Sequence, residues 1–89
     1  MFIEAYDIDY IRFINTHFVD GEKFLDYCTE SDFEETVHIG DRLTVFTENL
    51  HIQGVLFDVD AETDTFEIVH GYDKTTLIKC SDVIAVIHK

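Results

Sequence analysis

The spacing of apolar residues along the chain changes near Gly40. Before it, Tyr10, Ile11, Phe13, Ile14, His17 and Phe18 fall at i, i+1, i+3, i+4, i+7 and i+8. That spacing lays one wide apolar stripe along a helix, with Arg12, Asn15 and Thr16 outside it and His17 packed on the apolar face. Asp7 or Asp9 suits the N-cap, and Gly21 suits the stop. Phe24, Leu25, Tyr27 and Cys28 repeat the spacing and predict a second, shorter helix from about Glu22. A rival reading exists. The same residues are β-branched and aromatic, and Asp20-Gly21 is a strong hairpin turn signal, so residues 12–19 and 22–28 would pair as strands. Period favours helices and propensity favours strands; the period is taken as the primary signal.

After Gly40 the apolar positions alternate. Arg42–Thr47 carries Leu43 and Val45 on one face, and His51–Val59 carries Val55, Phe57 and Val59, with Gly54 marking a bend. Asp60–Asp64 reads as a turn. Phe66 and Ile68 set one face of the next strand, which stops at Gly71-Tyr-Asp-Lys. Thr75–Cys80 and Ile84–His88 complete the set. Five short strands with tight turns predict a small, strongly bent barrel whose core includes Val55, Phe57, Phe66, Ile68, Ile78 and Val86. The expected fold is therefore α+β in a single domain: a helical segment over residues 1–35, then a five-stranded β-barrel over residues 40–89. An all-β chain with an N-terminal hairpin is the alternative.

The total of 31 Val, Ile, Leu and Phe among 89 residues excludes intrinsic disorder. No apolar run is long enough to span a membrane. Two cysteines, Cys28 and Cys80, are too few for a disulfide scaffold and fit a reducing compartment. The acidic start MFIEAYDIDY lacks the basic region of a secretory signal, so a cytoplasmic location is expected.

Charge changes the picture most. Nineteen acids oppose six bases, a net charge of −13, which argues against holding nucleic acid by phosphate contacts. Eight of those acids lie between Asp20 and Asp41, facing the single base Lys23. Such a stretch is either a solvated, solubilising face or an electronegative surface for a basic protein partner. The second reading nominates Asp26, Glu30, Asp32, Glu34 and Glu35, with Tyr27 and Phe33 as apolar anchors. Tyr6, Tyr10, Tyr27 and Tyr72 are further candidates for a partly exposed contact surface.

From Gly40 on, the residues resemble the Sm-like family within the SH3-like barrels. Gly54, Leu56 and Asp60 stand at the Gly-x-Leu-x-x-x-Asp spacing of the first Sm motif. Ile78, Lys79, Cys80, Val83 and Val86 follow the register of the second. The resemblance covers residues 40–88 and implies a five-stranded barrel behind an N-terminal helix. It also implies a ring-forming oligomer that binds RNA or a small ligand around Asp60, Lys79 and Cys80. The chain departs from the RNA-binding pattern: Thr63 or Asp64 takes the Asn position, no aromatic lies between Asp60 and Thr65, and Cys80 replaces the glycine. In layout the chain is also similar to the small acidic Rho-inhibitor (Rof) family, in which an Sm-like barrel acts on a protein.

Other chemistry is thinly signalled. Asp58, Asp60, Glu62 and Asp64 resemble the opening of a calcium loop, but Thr63 and Val69 stand where its glycine and bidentate glutamate belong. The five histidines lack metal-ligand spacing. Neither cysteine has a base beside it in sequence, and the four glycines are isolated. The expectation is a non-enzymatic protein without metal or cofactor that binds and modulates a basic partner, with the ring-forming Sm-like module as the alternative.

Overall fold

The computed structural model describes residues 8–88, and their fold is almost entirely β. The strands are β1 (Ile11–Val19), β2 (Glu22–Thr29), β3 (Glu34–His38), β4 (Arg42–Thr47), β5 (His51–Asp60), β6 (Thr65–His70), β7 (Lys74–Lys79) and β8 (Val83–His88). The last two are joined by a single 3-10 turn, Cys80–Asp82. They form two antiparallel sheets, ordered β1-β2-β3 and β7-β6-β5-β4-β8.

The expected N-terminal helices are absent: the hairpin alternative is what forms. β1 and β2 turn at Asp20-Gly21, both with positive φ (54° and 80°), and Val19 pairs with Glu22 across that two-residue turn. Glycine and aspartate are the residues that tolerate this geometry, which matches the strand twist. The helical period was produced by two strand faces read together. Ile14 and Thr16 are buried on the inner face, while Phe13 and His17 stand on the outer one. Apolar residues on both faces of a strand sum to pairs spaced three and four apart. His17 is accordingly not packed in the core; it lies half-buried on the outer face.

The second correction concerns the barrel. All five expected strands are present, yet the sheet does not close. β7 and β8 are neighbours in sequence but lie at opposite edges. The apolar face that closure would seal is covered by the three-stranded sheet. Ile14, Leu25, Tyr27 and Val37 join Leu43, Val45, Leu56, Phe66, Ile68 and Val86 in one core. β1 runs over β5, β8 and the turn before β8.

The third correction is one of register. Phe57 is 56% exposed and Val55 only half-buried, whereas Leu56 and Val59 are buried. A bulge between Leu56 and Asp58 inserts one residue, so the inward positions run Ile52, Leu56, Val59, not in steps of two. Phe66, Ile68, Ile78 and Val86 are buried as expected. Gly54 owes its place to close packing: a Cβ there would collide with the Val69 carbonyl oxygen and lie 2.7 Å from Ile68 Cγ2.

Two stability measurements follow. Phe66→Ala should cost about 3–5 kcal/mol in urea unfolding, while Phe57→Ala should change stability by less than about 0.5 kcal/mol. Equal losses at the two sites would refute the bulged register. Gly54→Ala should cost about 1–3 kcal/mol through the clash with the β6 backbone. A neutral Gly54→Ala would show that β5 and β6 can separate without penalty.

Candidate functional site

Once register is known, the acidic stretch divides between two faces. Alternation puts Phe13, Asn15 and His17 of β1, Phe24, Asp26 and Cys28 of β2, and Glu34, Thr36 and His38 of β3 on the outer face. They form three cross-strand rows: Phe13–Cys28–Glu34, Asn15–Asp26–Thr36 and His17–Phe24–His38. In the third row His17 stacks on Phe24 with ring centroids 5.0 Å apart, and His38 lies tilted on its other side at 6.4 Å.

Phe13, Asp26, Tyr27, Glu34, Glu35 and Thr36 line an open cleft of about 380 Å³. Three of these six are carboxylates and none is basic. Asp26 is the unusual member. Its Oδ2 lies 3.1 Å from His17 Nε2, yet the His17 nitrogen has no hydrogen-bonded partner among the described residues. Asp26 Oδ1 is shielded from solvent and equally unpartnered. A shielded acceptor without a donor is costly unless something supplies one.

The nominated residues are distributed unevenly around this cleft. Tyr27 is not an exposed anchor: it is 2% exposed and packs in the core. Burial, then the charges of Glu35 and Asp9, push its phenol up to about 12. Glu35 turns inward and meets His88, Oε1 to Nδ1 at 2.6 Å. The other His88 nitrogen lies 3.2 Å from Asp41 Oδ2. Both nitrogens can donate together only as imidazolium. Asp32, with φ 68°, forms the β2–β3 turn and takes Arg12 Nη1 at 2.7 Å. Glu30 lends its carbonyl oxygen to Arg12, and its side chain is exposed. Phe33 is exposed at the same turn. Asp26 and Glu34 are therefore the nominated acids that share the outer face with no Lys or Arg partner among the described residues; Asp26 has only His17 beside it. Phe13 supplies the exposed apolar surface there (42%) that Tyr27 was expected to give. No local signal distinguished it; only the pairing of β1 with β2 and of β2 with β3 places it opposite Cys28 and in one row with Glu34.

The Sm-type positions occupy a different region. Asp60 is exposed, and its carbonyl oxygen accepts from Thr16 Oγ1 at 3.5 Å. Lys79 is exposed. Cys80 is buried, its thiol pushed up to about 12 by burial and by Asp64, and its N–H donates to the Asp64 carbonyl oxygen. Asp64, at the candidate Asn position, is already engaged: Thr16 donates to its Oδ1 through N–H (3.2 Å) and hydroxyl (2.9 Å). The calcium-like run is likewise committed, with Asp58 to Lys23 at 3.0 Å and Asp60 to the Glu62 N–H at 3.0 Å. Among the described residues, no group of three or more His, Cys, Asp or Glu is placed to hold a metal ion. Tyr10 and Tyr72 are exposed, and Tyr6 lies outside the described residues.

The chain matches no protein-family model, and no curated protein or solved structure is significantly similar to it. Among the described residues no helix is long and apolar enough to cross a membrane.

The committed carboxylates give a pH prediction. The Lys23 hydrogen bond and then the Val59 N–H hold Asp58 below its ordinary 3.8, and the His38 N–H leads the same effect at Asp41. A carboxyl depressed by folding stabilises above its unfolded value, and that contribution is lost as pH falls through the folded one. Melting temperature should therefore drop on acidification below pH 3.8, and less steeply in Asp58→Asn. Because Asp58 and Lys23 are over a third exposed, the difference should be no more than about 0.5 kcal/mol. An identical acid slope in both proteins, read by circular dichroism, would remove the Lys23–Asp58 pair from the account.

Proposed function

We propose that this protein is a non-enzymatic interaction module that binds a basic protein partner through the acidic outer face of β1-β2-β3 and modulates it, for instance by occluding a nucleic-acid-binding surface. The observation that carries this reading is the cleft around Asp26 and Glu34: its lining holds three carboxylates and no Lys or Arg, Asp26 has only His17 near it among the described residues, and Phe13 adds exposed apolar surface. An Arg or Lys from a partner would supply the opposite charge and donate to the accessible side of these carboxylates. A cytoplasmic site of action accords with two free, buried cysteines.

The Sm-type alternative is weaker on its own residues. Asp64 is held by Thr16, Cys80 is buried, and the net charge of −13 repels a phosphate backbone. The resemblance to Sm-like and Rho-inhibitor proteins rests on the short motif spacings of residues 40–88 and on layout, and the acidic surface favours the protein-binding mode over the RNA-binding one.

The test is capture from host lysate with the wild-type chain and with Asp26→Lys/Glu34→Lys, followed by surface plasmon resonance on the purified partner. The double variant should associate at least about tenfold more slowly, and the wild-type rate should fall with salt, because steering comes from a summed field screened over about 8 Å. Its melting temperature should hold or rise as self-repulsion falls. Equal, salt-insensitive association would reduce the acids to a solubility device. Submicromolar binding of poly-A or poly-U would instead favour the site at Asp60 and Lys79.

A further inference from the structure

We propose that the free edge of β3 accepts an extended basic segment of the partner as a fourth strand; this rests on the acidic-face reading and specifies its mode. The sheet order ends at β3, so among the described residues one side of that strand is unpaired. Which groups point outward follows from the ladder. Thr29 donates its N–H to the Phe33 carbonyl oxygen, making Thr29–Phe33 a hydrogen-bonded pair. Pairs alternate in an antiparallel ladder, so Glu35 and Val37 bond to β2 while Glu34, Thr36 and His38 present their N–H and C=O groups outward. At His38 the edge is closed: Asp41 takes its N–H through Oδ2 at 2.9 Å and returns its own N–H to the His38 carbonyl oxygen at 3.0 Å. Glu34 and Thr36 remain.

The other small-sheet edge is managed differently. Along β1 the Thr16 N–H is bound to Asp64. In the five-stranded sheet, the β8 edge carries a bridge from Tyr10 to Ala85, and β7 bears Lys74 and Lys79, charges of the kind that discourage edge pairing. The β3 edge instead carries acids on both sides, Glu34 outward and Glu35 inward. Two copies of this chain meeting there would bring four carboxylates together, so a second copy is disfavoured and a cationic strand is favoured. A basic residue beside Thr36 would lie two strand spacings, about 10 Å, from Asp26. An extended Arg or Lys side chain spans much of that gap and would direct its charge at the exposed side of the Asp26 carboxylate. Main-chain bonds then give affinity, and the acids select the sequence.

The probe is the peptide acetyl-Thr-Lys-Thr-Arg-Thr-Lys-Thr-amide, titrated into the full chain by NMR and calorimetry. Binding should shift the Glu34 and Thr36 amides and protect them from hydrogen exchange. Methylating alternate peptide nitrogens should weaken binding at least about tenfold, through lost main-chain bonds. Thr36→Pro should do the same, and because its N–H faces away from β2, the ladder and the melting temperature should survive. If neither change weakens binding more than about twofold, the edge proposal fails while the acidic face stands. If the wild-type chain ignores the peptide at millimolar concentration, the edge proposal fails, and the Asp26→Lys/Glu34→Lys comparison judges the face independently. Concentration-dependent protection of Glu34 and Thr36 without peptide would make the occupant a second copy and overturn the proposal.

Discussion

Ile14, Leu25, Tyr27 and Val37 form the only apolar face that β1-β2-β3 turns inward, and three short strands are barely stable unless such a face is covered. The five-stranded sheet covers it, and in return its own core face is sealed without closing into a barrel. Full burial of Leu25 and Val37 contributes about 1.5–3 kcal/mol each. This seam must hold against a chain of net charge −13. Polar contacts around its rim, Thr16 to Asp64, Lys23 to Asp58 and His88 to Glu35 and Asp41, all join one sheet or its connecting segment to the other. Individually each is weak at a surface. Their combined effect is to neutralise or occupy the acids that lie where the two sheets meet.

The seam also decides what is left available. Covering the inner face commits Tyr27 and Glu35 to the core and its rim, so the outer face keeps Asp26 and Glu34. The Thr16–Asp64 contact fixes β1 over the region where an Sm-type site would open. Tying down β1 and the β3–β4 link also blocks one edge and ends another, which among the described residues leaves a short stretch of β3 with outward N–H and C=O groups beside the acids.

Legibility in the sequence followed one rule: a strand was read correctly where one face was apolar and the other polar. β4 and β6 come nearest to it, and their bounds agree with the reading within one or two residues. β1 does not, because Phe13 and His17 on the outer face mimic, with buried Ile14 and the exposed Phe18 near the turn, the stripe of a helix. Asp20-Gly21 carried the correct answer, and local turn chemistry outweighed period. Phe57 was misplaced because a bulge breaks the alternation without any residue that marks it. The acidic stretch was visible as composition, but composition cannot separate Glu34 from Glu35, adjacent in sequence and on opposite faces. Phe13, 15 residues from its cross-strand neighbour Cys28, could be assigned to the site only by pairing.

The acids themselves separate into classes by what holds them. Asp20, Asp32, Asp64 and Asp73 occupy positive-φ turn positions, a conformation aspartate tolerates, so chain geometry accounts for them. Asp41, Asp58 and Asp9 are bound by His38 and His88, by Lys23, and by Ser31. A solubility requirement would be met by acids at turn tips, where hydration is free. Asp26 sits instead in the middle strand of a sheet, where aspartate is disfavoured, between Asn15 and Thr36 and with one oxygen cut off from water. Turn geometry and solubility do not account for that placement, and His17, 3.1 Å from Oδ2, leaves Oδ1 without a donor. Under the proposed function a cationic group from a partner would meet the accessible side of this carboxylate, which is why the contact is expected on the central strand of the smaller sheet and not at the most acidic turn.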